Sequence, residues 1–404
     1  LIGHSSGVFA VAITPDDRLA ISGSDDNTLK VWDWGCGVEL HTVNRHRDSL
    51  RAVAITPDGR RAISGSFDRT LKVWDLESGA ELRNLIGHNA GIYAVAITPD
   101  GLRAISTSAD ETLKVWDLES GVELRTLTGH RRSIKAVAIT PDGCRAISGS
   151  IDGVLKVWDL ASGTELCILP GNHGWVHAVA VTPDGRRAIY AIEGRLKVWE
   201  LERGTEPRVL IGHSGAVFAV AVTPDGRQAI SGSADLTLKV WDLESGVELR
   251  TLFGHNNYVD AVAVTPDGRW VISGSADRTL KVWELDSGKI LYTFSADVWI
   301  RACTVTHGIT IVAGDDGGCF HILRLENVTP GPPVCTAWRL PGGGAQAFGC
   351  LHCRVWSEVA PSTLGTELPC PHCGKSVKLN PFVINADWRP VAAAWRGEPA
   401  ENSC

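Results

Sequence analysis

The tetrapeptide Leu-Lys-Val-Trp recurs along the chain, its tryptophans at Trp32, Trp74, Trp116, Trp158, Trp199, Trp241 and Trp283. The spacings are 42, 42, 42, 41, 42 and 42 residues. A fixed period of this length describes an array of one supersecondary unit, and every other residue has to be read against it. A residue present in every copy serves the fold; one that changes from copy to copy is free to meet a partner.

Residues 252–293 spell out the unit: Leu-x-Gly-His, three variable residues, Val-Asp-Ala-Val-Ala-Val-Thr-Pro-Asp-Gly, Val-Ile-Ser-Gly-Ser-Ala-Asp, Leu-Lys-Val-Trp-Glu-Leu and Asp-Ser-Gly. Four short runs of Val, Ile, Leu and Ala are broken by turn residues, and none is long enough for a good helix. In Thr-Pro-Asp-Gly, Pro fixes φ at the second turn position and Gly permits a left-handed residue. The segment is complete at Thr56, Thr98, Thr140, Thr182, Thr223 and Thr265, while after Thr14 the Gly is replaced by Asp17. Four antiparallel strands per period make a sheet too small to stand alone, so each must stack on its neighbours.

Gly-His near the start and Trp-Asp near the end of a repeat this long resemble the WD-repeat family of β-propellers. The resemblance covers residues 1–327 and implies an all-β ring of four-stranded antiparallel blades around a channel, with a binding surface on one face. An eighth, worn copy reads Val298–Cys303, Ile309–Ala313 and Phe320–Leu325 as strands, without Gly-His, Pro-Asp-Gly or Trp. Eight blades are expected, with seven as the alternative. Leu1-Ile2-Gly3-His4 matches Leu85-Ile86-Gly87-His88, which follows a complete outer strand, so a parent chain extending upstream is expected. In this family one terminus usually completes a blade begun by the other. The run Pro333–Trp338 is therefore a candidate for the eighth blade's missing strand.

The net charge of −7 divides into −8 for residues 1–327 and +1 for the rest. No large positive field exists to recruit nucleic acid or an anionic membrane. Apolar stretches are too short to span a bilayer. Seven of the eleven cysteines (Cys36, Cys144, Cys167, Cys303, Cys319, Cys335 and Cys404) are scattered irregularly, which suits reduced thiols and a cytoplasmic protein.

Copy six contains His213, Ser231 and Asp235, an apparent catalytic triad. The same types recur as His4, Ser22, Asp26; His46, Ser64, Asp68; His88, Ser106, Asp110; His130, Ser148, Asp152; and His255, Ser273, Asp277. An enzyme has no use for six triads around a ring, so no catalytic residue is assigned. The resemblance implies a hydrogen-bonded chain from Trp to Ser to His to Asp that ties the strands of each blade. Copy five keeps His173 and Trp199 but has Tyr190 for Ser and Glu193 for Asp, with one residue deleted. It should be the loosest of the first seven.

Variation carries the functional signal. Within Val-x-Ala-Val-Ala the x position reads Phe9, Arg51, Tyr93, Lys135, His177, Phe218, Asp260 and Arg301. The adjoining loops vary too: Arg47-Asp48-Ser49, Asn89-Ala90, Arg131-Arg132, Trp175 and Asn256-Asn257-Tyr258. In similar propellers the matching positions line the channel mouth and contact partners. Aromatic and Arg residues dominate interface energetics, so these eight are the candidate contacts for a protein or peptide.

After a Pro/Gly-rich linker at 328–347 comes Cys350-Leu-His-Cys353 and, further on, Cys370-Pro-His-Cys373. Two C-x2-C turns facing each other make a tetrahedral four-sulfur site suited to structural Zn2+, and the segment 348–385 resembles a zinc ribbon. Four Cys ligands leave no open position for catalysis. His352 and His372 are expected to be exposed, and a pair of redox disulfides is the rival reading. Gly374-Lys375-Ser376 is no phosphate loop, since Pro369 stands where the required Gly would be. Residues 381–395 are apolar enough to dock, the propeller being the expected host, and 386–404 form the tail. The expected function is a non-enzymatic interaction scaffold or ligand-sensing module, a monomeric ring with no membrane contact. The similarity of the copies resembles bacterial members, whose arrays often form the sensor half of a signal-transduction protein with an upstream nucleotide-hydrolysing switch or kinase. That is the alternative. Nucleic-acid binding is disfavoured by the charge balance.

Overall fold

A computed structural model describes residues 3–169, 174–192, 194–202, 207–306, 310–325, 330–342 and 344–397. His173, Glu193, Ile309 and Cys404 lie outside them. Seven four-stranded antiparallel sheets follow one another in chain order, and a three-stranded sheet completes the ring. The first blade runs Val8–Ile13, Leu19–Ser24, Leu29–Asp33 and Val38–Val43. The eighth holds only Ile300–Val305, Thr310–Asp315 and Phe320–Arg324. The first strand of each blade lies beside that of the next, and Ile300–Val305 lies beside Val8–Ile13, which closes the ring at eight.

Burial explains why the strands recur so faithfully. All seven repeat tryptophans are at most 2% exposed. Each is clamped between its own blade and the one before: Trp74 and Leu76 pack with Ala62 and Leu50 against Ile21, Leu29, Val31 and Val43 of blade one. Removing that much indole from water is worth roughly 4–6 kcal/mol as an upper bound. Gly65, in the second strand of blade two, faces blade three at close range, and a Cβ built there would lie 2.7 Å from Ile92 Cγ2. The blades therefore stack with backbone against side chain.

In the first seven blades the Thr-Pro-Asp-Gly turns, with Asp17 for Gly in the first, close at one end of the inner strand and the loops after the repeat histidine open at the other. Six of the turns place Gly at φ between 69° and 75°, and Asp17 takes the same left-handed conformation at φ 57°. An Asp tolerates this where most side chains would strain.

The run Pro333–Trp338 does not complete the eighth blade, contrary to the expectation from sequence. The strand Val334–Arg339 pairs in parallel with Ser376–Asn385 and antiparallel with Gln346–Gly349. It is the middle strand of a five-stranded sheet whose outer members are Trp356–Val359 and Glu367–Pro369. Pro330, Pro332 and Pro333 have no N–H to give a ladder. Instead Gly331 N donates to Asp267 Oδ2 at 2.8 Å and Val334 N to Pro266 O at 2.9 Å, which carries the chain past blade seven.

This second sheet sits on the Thr-Pro-Asp-Gly face. Arg354 donates to the carbonyls of Pro57 and Asp58, Asn380 Nδ2 to Pro224 O at 3.0 Å, and Arg60 Nη1 to Gly397 O at 3.1 Å. The helix Arg389–Arg396 and the strand before it bring Ile384, Val391 and Trp395 over Pro57, Pro99, Pro141 and Pro183, around a cavity of about 350 Å³. The apolar segment 381–395 is thus docked on the propeller. Among the described residues no helix is long and apolar enough to cross a membrane.

Blade five departs from its neighbours. Among the described residues its outer strand is Arg208–Leu210, and the buried Trp199 Nε1 has no hydrogen-bond partner. Native-state hydrogen exchange should find Val176–Val181 and Arg187–Ile192 the fastest-exchanging inner pair of the first seven blades. Protection equal to that of Val217–Val222 and Gln228–Ser233 would contradict this reading.

Candidate functional site

The repeated Ser-His-Asp set is a tie within the blade. In blade one Trp32 Nε1 donates to Ser22 Oγ at 2.8 Å, His4 Nε2 meets the same oxygen at 2.7 Å, and His4 Nδ1 meets Asp26 Oδ2 at 3.0 Å. Blades two, three, six and seven repeat these contacts within a few tenths of an ångström. One assignment of protons satisfies the network: Nδ1–H donates to the carboxylate, Nε2 accepts from the serine hydroxyl, and serine accepts from indole. That assignment needs a neutral imidazole. Burial lowers the pKa of His4, His213 and His255 despite the aspartate beside each. The six serines are fully buried, so no substrate can reach them.

Glycine before the histidine has a steric cause. A Cβ on Gly3 would lie 2.6 Å from Trp32 Cη2, and one on Gly212 would lie 2.8 Å from Trp241 Cη2. At these two positions a side chain would meet the indole edge, whereas in blade two Arg45 holds the equivalent place.

Blade four breaks the chain at a point sequence reading missed. His130 Nε2 meets Ser148 Oγ at 2.7 Å, but His130 Nδ1 is buried without a partner. In five other blades a threonine two residues after the aspartate pins the carboxylate, as Thr28 Oγ1 does to Asp26 Oδ1 at 2.6 Å and Thr279 Oγ1 to Asp277 Oδ1 at 2.6 Å. Blade four has Val154 there, and Asp152 is held only by Val154 N at 3.0 Å. The signal was legible: one valine in a column of threonines.

The eight variable positions meet at the Gly-His end of the ring, all half-buried. They touch across the blade interfaces. Arg51 lies 3.9 Å from the Phe9 ring and Lys135 Nζ 3.2 Å from the Tyr93 ring. His177 packs edge-on to Phe218 at 5.4 Å, and Arg301 binds Asp260 at 3.5 Å and reaches the Phe9 ring at 5.8 Å. Four more rings extend the array: Phe67, Trp175, Tyr258 and Trp299. Trp175, Tyr258 and Trp299 occupy the position just before the inner strand and are 56%, 48% and 42% exposed.

On the opposite face Cys350, Cys353, Cys370 and Cys373 converge, every Sγ within 4.8 Å of the others. Cys350 Sγ lies 3.9 Å from Cys373 Sγ and Cys353 Sγ 3.8 Å from Cys370 Sγ. A tetrahedron of sulfurs about 2.3 Å from a central ion has edges of about 3.8 Å, so the set could hold a metal ion. Both of these approaches run between the two C-x2-C turns. His352 and His372 are exposed and stand outside the cluster. Elsewhere, burial pushes the thiols of Cys303 and Cys335 up to about 12, which keeps them unreactive at neutral pH.

Comparison with known proteins agrees with this geometry. The family model "WD domain, G-beta repeat" matches residues 1–33, 37–75, 79–117, 121–159, 204–242 and 246–284. The first three strands of the fifth blade, with its broken network, and the worn eighth fall between or beyond these matches. A U3 small nucleolar RNA-associated protein 15 homolog of Xenopus tropicalis is 45% identical over 49 residues, 12% of this chain and 10% of that protein. Nuclear distribution protein PAC1 of Scheffersomyces stipitis is 61% identical over 33 residues, 8% of this chain and 6% of its own length. The chain therefore spans only about a tenth or less of these relatives. The crystal structure of the computationally designed Ika8 protein superposes with a TM-score of 0.72 at 31% identity, covering 80% of this chain and 98% of Ika8.

Two outcomes follow from the histidine network. Val154→Thr should pin Asp152 to His130 and raise stability by about 1 kcal/mol, read as a higher urea midpoint at pH 7. An unchanged or lower midpoint would refute the account of blade four. Burial lowers His130 to about 4, so in the unfolded chain, with a pKa near 6.5, it takes up a proton that the folded blade refuses. Stability should be full above pH 6.5 and fall as the pH drops towards 4, by on the order of 3 kcal/mol from His130. The aspartates extend the loss to lower pH. Bonds from Thr279, Asn256 N and His255 outweigh the upward push of burial and bring Asp277 to about 2. A thermal midpoint flat between pH 7 and pH 4 would contradict this.

Proposed function

Because the chain belongs to the WD-repeat family of β-propellers, we propose that it is a non-catalytic scaffold that takes a protein or peptide partner on the variable rim. The observation that carries the reading is the division of labour around the ring. In blades one, two, three, six and seven the histidine, serine, aspartate and tryptophan of the repeat are consumed in bonds within blades. The variable positions gather half-exposed at one mouth, and large exposed aromatic side chains join them. Contiguous exposed aromatic surface of this kind marks interaction sites. The other mouth is covered by the five-stranded sheet, which leaves the Gly-His face as the open one. Closure of eight blades within one chain suits a monomeric ring.

The four-cysteine centre is best read as structural Zn2+ bound by Cys350, Cys353, Cys370 and Cys373. Four thiolates leave no site for water or substrate, so the ion would supply only cross-linking. Its sheet is small, with Cys335, Ala337, Phe348, Val377 and Leu379 as its apolar core beside the thiols. A unit of this size depends on such a staple. Thiols that must stay reduced to bind metal fit a reducing compartment such as the cytoplasm.

Selection of a random-sequence displayed peptide library against the full chain tests the scaffold reading. Selected peptides should lose binding in the Tyr93→Ser/Phe218→Ser double variant, with the circular dichroism spectrum unchanged. Peptides that bind the double variant as well as the parent would place recognition elsewhere. For the metal, elemental analysis of reduced protein should find one Zn2+ per chain. Cys370→Ser should lose it and open residues 334–397 to protease while the blades stay resistant. Absence of Zn2+ in the reduced parent protein would reject the assignment.

A further inference from the structure

The rim is not uniform. From blade seven through blade eight to blade two, its charges neutralise one another. Arg301 binds Asp316 at 3.0 Å and Asp260 at 3.5 Å, and Arg51 binds Asp25 at 3.0 Å. Both guanidiniums lie against the ring of Phe9. These contacts cross the interfaces on either side of blades eight and one, where the ring closes through a three-stranded sheet. A ligand there would have to displace carboxylates already seated.

From blade three to blade seven the arrangement differs. Lys135 sits over Tyr93 and forms no ion pair with a carboxylate among the described residues, and Arg131 is exposed on the loop that leads to it. Beyond Lys135 four rings follow in sequence: Trp175 to His177 at 5.7 Å, His177 to Phe218 at 5.4 Å and Phe218 to Tyr258 at 6.1 Å. Both ends of this row are about half exposed. Burial, reinforced by the charge of Lys135, lowers the pKa of His177, so the imidazole joins the row as a neutral ring. The sector is an aromatic shelf with a cationic margin, in a protein whose net charge is −7.

We propose that this sector is the docking site and that its ligand is an extended acidic peptide carrying an aromatic side chain. The inference rests on the scaffold reading and narrows it. The peptide's ring packs edge-on or offset on the shelf between Trp175 and Tyr258. Its carboxylates meet the uncompensated charges of Lys135 and Arg131, which steer approach as well as hold it. A single-stranded polynucleotide offers stacking and negative charge too. A chain of net charge −7, with only Lys135 and Arg131 at this margin, offers too small a positive field for a run of phosphates, and this disfavours it.

The test uses the full chain and a fluorescein-labelled peptide with one Trp flanked by two Asp on each side in a Gly-Ser frame, read by anisotropy. Saturable binding is expected. It should weaken at least about tenfold in Trp175→Ala and in Lys135→Glu, and equally when the peptide's Asp become Asn or its Trp becomes Ser. Raising the salt should weaken the parent complex and leave the Asn peptide unaffected. No saturable binding, or binding indifferent to the peptide's charge, overturns the proposal. So does an oligothymidylate that binds more tightly than the peptide. If library-selected peptides bind the rim but lack acidic and aromatic residues, the scaffold reading survives and this inference falls. If they ignore the rim altogether, both fall.

Discussion

Each regular blade turns on a serine hydroxyl buried out of reach of water, which accepts a hydrogen bond from indole and donates one to imidazole. Buried polar atoms in so small a sheet would cost several kcal/mol if left unpaired. Paired, they fix which strand lies beside which, and at what register. The tryptophan that donates to the serine also fills the interface with the preceding blade. One side chain therefore links order within a blade to stacking between blades. Blade five, where tyrosine replaces the serine, shows the converse. Among the described residues its indole nitrogen has no partner, and the family model passes over its first three strands.

The ring was legible because its information is local and repeated. Trp32 to Trp283 set the period, and each Thr-Pro-Asp-Gly turn and Ser-Gly-Ser run carries its own conformational instruction. Asp17 at positive φ shows that even a departure from the pattern was readable as the same turn. The eighth blade was found from apolar runs alone, and the four cysteines from their spacing. Pairing of Pro333–Trp338 was not legible. Its alternation of apolar residues suits any open strand edge, and the partner it takes, Ser376–Asn385, lies some forty residues on in a parallel arrangement that no turn specifies. The loss of the His130–Asp152 bond was present in the sequence as Val154, but only the geometry shows what the threonines of that column do.

The variable column illustrates a different limit. Its variability shows that the repeat does not need one residue there, and correctly sets the eight positions apart from the core. It does not show that neighbours in the column touch. Phe9 and Arg301 lie far apart in the chain and meet only when blade eight closes against blade one. Contacts of that kind depend on the number of blades, which is a property of the whole ring.

The two faces thus carry different kinds of constancy. On the Thr-Pro-Asp-Gly side the first seven blades present the same proline and the same backbone carbonyls, and a single sheet can seat itself across them: Arg354, Asn380 and Val334 use equivalent oxygens on blades two, six and seven. A repetitive surface suits an intramolecular lid, because lid and ring are joined and need little specificity to find each other. A partner arriving from solution needs the reverse, a surface that differs in every direction around the axis. Only the Gly-His side offers that, and there the asymmetry is concentrated. One half is occupied by its own ion pairs. In the other half, charge and aromatic area remain unspent.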